Sequence, residues 1–379
     1  MHIPRKALNI LKNRLKPGKV IIILGARQVG KTVLLKDFLK TVREKYIFWN
    51  GEDFAVHELL KRRTIQNYKN LLGTSELLVI DEAQKVPDIG LILKLIVDSF
   101  EKLKIIVTGS SAFDIANLTG EPLTGRKYEV MIFPVSESEY KTIEKPEEAK
   151  DNLMQRLVYG NMPELVSIPD QNEKEEYLRE IINSYLLKDI LTFERIKNSS
   201  KLVSLLKLLA YQVGNEASME ELGRQTAMSK NTVERYLDLL SKVFVIYRLN
   251  GFSKNLRKEV VKNSKWYFYD NGIRNAIIAN FSSINLRNDK GSLWENYIMS
   301  ERIKSLSYSG IHCNRYFWRT YDKQEIDLIE EREGKLFAYE LKWNSEEIKI
   351  PSAWEKSYPD SSFKVISINN YGGWLEKDS

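Results

Sequence analysis

Gly25-Ala26-Arg27-Gln28-Val29-Gly30-Lys31-Thr32 follows directly on the apolar run Val20 to Leu24 and fits the pattern G-x-x-x-x-G-K-[ST] at every constrained position. The combination reads as a buried strand feeding a glycine-rich turn and then a helix. With glycine near 7% of average composition, the four fixed positions would coincide by accident in a chain of this size about one time in a hundred. The residue types have a physical reason. A triphosphate carries dense negative charge that only close backbone approach can cradle, and Gly25 and Gly30 let successive N–H groups turn inward. The helix beginning near Lys31 points the positive end of its dipole at the same place. Lys31 then reaches the β- and γ-phosphates, and Thr32 offers its hydroxyl to Mg²⁺. Gly25, Ala26, Arg27, Gln28, Val29, Gly30, Lys31, Thr32 and Val33 are therefore the expected cradle for ATP and Mg²⁺.

After this turn, Val33 to Val42 has helical spacing and Tyr46 to Trp49 is a short apolar run before Asn50-Gly51, which completes a crossover. The polar stretch Glu52 to Asn70 leads to Leu77-Leu78-Val79-Ile80-Asp81-Glu82, four apolar residues closed by two acids. Asp81 is expected to hold Mg²⁺ and Glu82 to polarise the attacking water. Ile105 to Val107 ends in Thr108-Gly109-Ser110-Ser111, a polar strand terminus able to face the γ-phosphate, and Tyr128 to Ile132 reads as a further strand closed by Pro134. Strands alternating with helices in this way imply a parallel sheet with nucleotide at its carboxyl edge.

The remaining length sets the scale of the molecule. At 379 residues, 43% of them hydrophobic and 29% charged, the chain is long enough for two or three globular domains. The amphipathic stretch Met1 to Pro17 lacks the apolar run of a signal peptide, and nowhere do about 18 uncharged apolar residues run together, so a cytoplasmic protein with no membrane span is expected. Cys313 is the single cysteine and His2, His57 and His312 lie far apart, which excludes an internal disulfide and gives no zinc spacing.

The net charge of +7 is concentrated. Between Lys201 and Lys265 there are twelve Lys or Arg against six acids, a balance that suits a polyanion partner as well as a solvated surface. Within it, Met219 to Thr226 forms a short helix, Ala227-Met228-Ser229 a turn, and Lys230 to Leu240 a second helix capped by Ser229 with Val233, Tyr236, Leu237 and Leu240 on one face. This is helix-turn-helix grammar. Lys230, Asn231, Thr232 and Arg235 would sit on the turns that enter a major groove. Val243 to Arg248 and Lys265 to Tyr269 would be wing strands, with Lys254, Arg257, Lys258 and Lys262 meeting phosphates from the loop between. Duplex DNA is the expected nucleic-acid partner.

Carboxylates dominate the C-terminal part. Gly291 to Ile298 opens a helix carrying Glu295, and Glu325 to Ile329 and Phe337 to Lys342 read as strands in which residues two apart share a face. A hairpin turning at Glu333-Gly334 sets Asp327 opposite Glu340, with Lys342 beside them. Two acids so close repel unless a divalent cation or Lys342 neutralises them. A metal held by Asp327 and Glu340 could activate water for phosphodiester cleavage.

The sequence resembles prokaryotic AAA+-type P-loop ATPases, most closely the large family with a C-terminal domain of unknown function. The resemblance rests on Gly25 to Thr32, Leu77 to Glu82, Thr108 to Ser111, Leu123-Thr124-Gly125-Arg126 and Tyr159-Gly160-Asn161-Met162-Pro163-Glu164. It implies Thr108 or Ser110 as γ-phosphate sensor, Arg126 as arginine finger, Asn50 as a gate on Glu82, and the Gly160 to Pro163 turn as a lid element near base and phosphates. An arginine finger acting in trans would require a homo-oligomer. The last third is similar to the PD-(D/E)xK nuclease superfamily, which would make Glu295, Asp327, Glu340 and Lys342 its catalytic residues, although no Pro-Asp precedes the motif and Trp354-x-x-x-Tyr358 replaces the usual Gln-x-x-x-Tyr. The expected fold class is α/β. A P-loop NTPase parallel sheet (1–133) is followed by a helical lid (134–200), a winged-helix segment (201–270) and a nuclease-like α/β domain (271–379). The expected function is a Mg-dependent ATPase acting on or regulated by DNA through the winged-helix segment, coupled to metal-dependent nuclease chemistry if the C-terminal carboxylates are active. The alternatives are a non-cleaving regulatory switch and an ATPase that acts on a protein partner.

Overall fold

The structure is a computed structural model, describing residues 2–109, 123–187, 199–253, 264–345 and 347–377. It divides into two compact units, Pro4–Phe133 with Lys242–Phe244, and Pro134–Ser241 and Val245–Ser379 with Met1–Ile3.

The first unit is built on five strands: β1 (Val20–Leu24), β2 (Tyr46–Asn50), β3 (Leu77–Asp81), β4 (Lys104–Gly109) and β5 (Lys127–Met131), in the order β2-β3-β4-β1-β5. All neighbours are parallel. The central strands β1 and β3 are buried at every position, which is why they read as unbroken apolar runs, while edge strand β2 alternates exposed and half-buried residues. Ile22, Leu24, Ile80 and Val107 pack with Ile89, Ile92, Leu93 and Ile96 of helix Ile89–Ser99 into one core. Side-chain caps start two connecting helices, Asp53 accepting from Ala55 N and Thr64 from Asn67 N. The parallel arrangement gathers Gly25, Asn50, Asp81 and Gly109 at one edge of the sheet.

The second unit contains a seven-stranded mixed sheet of β6 (Glu216–Ala217), β7 (Ile246–Gly251), β8 (Ser264–Phe268), β9 (Asn314–Arg319), β10 (Glu325–Arg332), β11 (Lys335–Leu341) and β12 (Ser362–Ile366), in the order β12-β11-β10-β9-β7-β8-β6. Helices Met219–Thr226 and Lys230–Lys242 are joined by a turn with Ala227 in the left-handed region, and hairpin β7/β8 follows. The short parallel pairing of Asn250 with Tyr316 and Gly251 with Phe317 joins this hairpin to the C-terminal strands in one sheet. Hairpin β10/β11 pairs Leu328 with Tyr339 and Arg332 with Lys335. That register is fixed by Glu333 and Gly334, whose φ values of 50° and 74° form the doubly left-handed turn that a two-residue hairpin requires.

Helix Lys290–Ser309 carries an unusual load of buried polar side chains. Asn296 Oδ1 accepts from Phe268 N at 2.7 Å, and its Nδ2 donates to Asn271 Oδ1 at 2.7 Å. Glu301 accepts from Lys304, from Asn161 Nδ2 and from Glu137 N. The Gly160 to Pro163 turn is built into this network: Asn161 N donates to the buried Asp270 at 2.6 Å, and a Cβ on Gly272 would lie 1.9 Å from Tyr159 O. Its neighbours in the second unit are therefore Asp270 to Gly272 and Glu301. The nucleotide-facing role expected from the family resemblance did not anticipate this backbone clamp.

Candidate functional site

Two clusters of lysine and carboxylate stand out, one in each unit. In the first, Gly25 has no room for a side chain, since a Cβ would meet Ile132 O at 2.2 Å, and Gly30 turns the chain at a φ of +94°. Gln28 is also left-handed, at 61°. Arg5 fixes this loop from outside by donating to Val29 O at 2.8 Å, a tether that the N-terminal amphipathic pattern did not reveal.

Lys31 opens helix Lys31–Leu39 and is 5% exposed. Its Nζ donates to Gly25 O at 3.0 Å and Ala26 O at 2.9 Å. Burial pulls its pKa down from 10.5 to about 8, although Glu82 and Asp81 oppose the shift. A buried ammonium held by neutral carbonyls is short of negative charge. Thr32 Oγ1 donates to Asp81 Oδ2 at 2.8 Å, and the buried Thr108 Oγ1 donates to Asp81 Oδ1 at 2.5 Å while accepting from Glu82 N at 2.8 Å. A hydroxyl and a carboxylate side by side, in front of a glycine-rich loop, form an oxygen donor pair of the kind that suits Mg²⁺.

Glu82 has a φ of 50° and its Oε2 accepts from Gln84 at 2.6 Å. Asn50, the gate expected from the resemblance, accepts from Glu52 N at 3.0 Å, and Glu82 Oε2 is held by Gln84. Val33 is exposed on the first helical turn and Ser110 lies outside the described residues. Arg126 precedes β5 at the opposite edge of the sheet, where its carbonyl accepts from Val20 N, and its Nε contacts Asp98 at 2.5 Å. Within one chain, then, the sheet separates Arg126 from the phosphate loop.

The second cluster lies among β8, β10, β11 and helix Lys290–Ser309. Lys342 Nζ stands 2.7 Å from Glu340 Oε1 and 3.7 Å from Asp327 Oδ2, and Leu341 N donates to Asp327 Oδ2 at 2.8 Å. Glu295 accepts from Tyr267 Oη at 2.6 Å. Lys265, 2% exposed on β8, contacts Glu325 and lies 3.8 Å from Glu295 Oε1 and 4.0 Å from Asp327 Oδ1. The structure thus brings together all four expected residues, Glu295, Asp327, Glu340 and Lys342, and adds Lys265, which the sequence reading had counted as part of a basic surface. Burial and then Asp327 push Glu295 up to about 7, and burial raises Glu340 as well. The negative neighbours raise Lys265 despite its burial.

The residues do not fit the divalent cation that the nuclease resemblance implies. Two ammonium groups stand among the carboxylates, and among the described residues no group of three or more His, Cys, Asp or Glu side chains could hold a metal ion. The described residues also contain no helix long and apolar enough to cross a membrane. Lys254, Arg257, Lys258 and Lys262 of the expected basic loop lie outside the described residues.

Residues 17–141 match the family model of the AAA domain. This region is an AAA-type, ATPase-like domain. Residues 150–284 and 290–367 of the same chain match two families described as domains of unknown function, DUF8612 and DUF4143. An uncharacterized protein of Methanocaldococcus jannaschii is 27% identical, over 98% of this chain and 88% of the relative. Another uncharacterized protein, from Mycobacterium tuberculosis, is 26% identical over 90% of this chain and 74% of the relative. Among solved structures, a variant of RuvB from Thermotoga maritima is 14% identical with a TM-score of 0.33, covering 64% of this chain and 86% of that one. Pif1 helicase from Bacteroides with ADP-AlF3 and single-stranded DNA is 17% identical with a TM-score of 0.28, covering 48% of this chain and 50% of its own. Likenesses at TM-scores this low do not bear on activity.

Proposed function

We propose that this AAA-type protein is a Mg-dependent ATPase that acts as a switch on duplex DNA without cutting it. The observation that carries the ATP reading is the under-compensated Lys31 ammonium, buried and held by the carbonyls of Gly25 and Ala26. A phosphate offers it the negative charge it lacks. Lys31 would exchange those carbonyls for phosphate oxygens, and Thr32 with Asp81 would hold Mg²⁺, which offsets the charge of the phosphates. Glu82 would orient the attacking water and accept its proton once Gln84 releases the carboxylate.

DNA engagement is supported by the helix, left-handed turn and helix of 219–242 followed by hairpin β7/β8, an order that suits a winged helix. Lys230, Asn231 and Arg235 are exposed on the second helix. Phosphate contacts, not base readout, would dominate affinity, with Lys254, Arg257 and Lys258 as the residues we assign to them. Arg126, at the sheet edge away from the phosphate loop, fits an arginine that completes the nucleotide site of a neighbouring copy, which favours a homo-oligomer.

The test is salt-dependent duplex binding and DNA-stimulated ATP hydrolysis by the wild type and by the triple change of Lys254, Arg257 and Lys258 to Glu. We expect weaker binding, a shallower salt slope and loss of stimulation in the variant. An unchanged affinity and slope would remove DNA from the account and leave a protein partner. Metal-dependent cleavage is the competing reading: Asp327, Glu340 and Lys342 converge as it requires, while the two ammonium groups among the carboxylates count against a metal. Nicking of supercoiled DNA in Mg²⁺ or Mn²⁺ that disappears with Lys342→Ala would establish it.

A further inference from the structure

The carboxylate centre of the second unit already contains its cation. Lys265 and Tyr267 share one face of β8, two residues apart, and both point to Glu295: Tyr267 by a hydrogen bond of 2.6 Å and Lys265 at 3.8 Å. The same ammonium contacts Glu325 and reaches Asp327 Oδ1 at 4.0 Å, so one charge serves carboxylates from helix Lys290–Ser309 and from β10. It is 2% exposed and lies 5.4 Å from the centroid of the Phe317 ring, so water does not share the task of neutralising those acids. Lys342 is the more exposed partner and serves the other side, at Glu340 Oε1 and Asp327 Oδ2. Glu340 Oε2 is buried and accepts no hydrogen bond, an acceptor that the two lysines leave unused.

A divalent ion needs its oxygens at roughly 2.0–2.6 Å. The Lys265 ammonium lies 3.8 Å from Glu295 Oε1 and 4.0 Å from Asp327 Oδ1, so a divalent ion drawn between those two acids would meet its positive charge in a site closed to water. We infer that Lys265 is the resident cation of this centre and closes it to divalent metal: Glu295, Asp327 and Glu340 as they stand form no metal-holding group, and removing the Lys265 charge lets them close on an ion. The inference concerns the second unit alone and stands whether or not the first hydrolyses ATP. It gives a physical reason why this set of residues would not cleave.

The test is Mn²⁺ binding to the full chain without nucleotide, followed by electron paramagnetic resonance of free Mn²⁺. Any binding near the phosphate loop is common to all variants and cancels in the comparison. Wild type and Asp327→Asn should bind the same number of ions. Lys265→Met, which keeps the length and apolar stem of the side chain, should bind one more ion per chain than wild type, and the extra ion should be lost when Asp327→Asn is added. Lys265→Arg should behave as wild type. A wild-type ion that Asp327→Asn removes would overturn the inference, and that comparison decides it even if Lys265→Met fails to fold. A Lys265→Met protein with wild-type thermal unfolding and no extra ion would overturn it equally.

Discussion

Lys31 and Lys265 are both buried lysines beside strand-borne acids, and their surroundings drive them in opposite directions. Lys31 is held by two carbonyls and its pKa falls to about 8, whereas Lys265 is surrounded by Glu295, Asp327 and Glu325 and its pKa rises. The difference separates a site awaiting an anion from one whose cation is already held by acids. Residue inventory alone, lysine plus acids at strand ends, makes the two look alike.

Four experiments probe the two centres and the packing around them. The largest effect belongs to Glu82→Gln, which should lower ATP turnover by about 10²-fold or more while leaving ATP affinity near that of wild type. Equal losses in affinity would mean that Glu82 supports the loop and not the water. Next, Gly272→Ala should destabilise the second unit by about 1–3 kcal/mol in chemical denaturation, because the added methyl would lie 1.9 Å from Tyr159 O. An intact nucleotide site in that variant would show that the two centres are energetically separate.

The third experiment concerns Glu295. Its folded pKa, about 7, lies above its ordinary 4.5, so between those values the folded chain keeps a proton that the unfolded chain has released. Stability contributed by this group is complete below the unfolded value and falls as pH rises through the window, by at most about 1.4 kcal/mol per pH unit. Glu295→Gln should flatten that decline in a series of thermal unfolding curves. The smallest effect is at Lys31: at pH 8, near its pKa of about 8, phosphate should restore the full positive charge, so ATP binding takes up about half a proton. Calorimetry in buffers of different ionisation enthalpy measures it, and uptake should vanish near pH 6.5.

The phosphate loop was legible because its determinants are contiguous: Gly25, Gly30, Lys31 and Thr32 occupy one turn and its helix start, and the strands around them are unbroken apolar runs. The β10/β11 register was legible for a similar local reason, since Glu333-Gly334 fixes the turn and with it the neighbourhood of Asp327 and Glu340. Lys265 was not. It belongs to a basic stretch whose other lysines suit a surface, and its burial is decided by Glu295, Glu325 and Asp327 from distant elements. The same holds for Arg5 on the phosphate loop, for Gln84 on Glu82, and for the brief β7/β9 pairing, too short to leave a periodic pattern.

Whether Lys31 is a cation prepared for phosphate is decided by phosphate release from ATP in Mg²⁺ by wild type and Lys31→Ala. Wild type should hydrolyse ATP and the variant should lose about 10²-fold or more of that activity. Absence of turnover in wild type together with unchanged ATP binding in Lys31→Ala would contradict it.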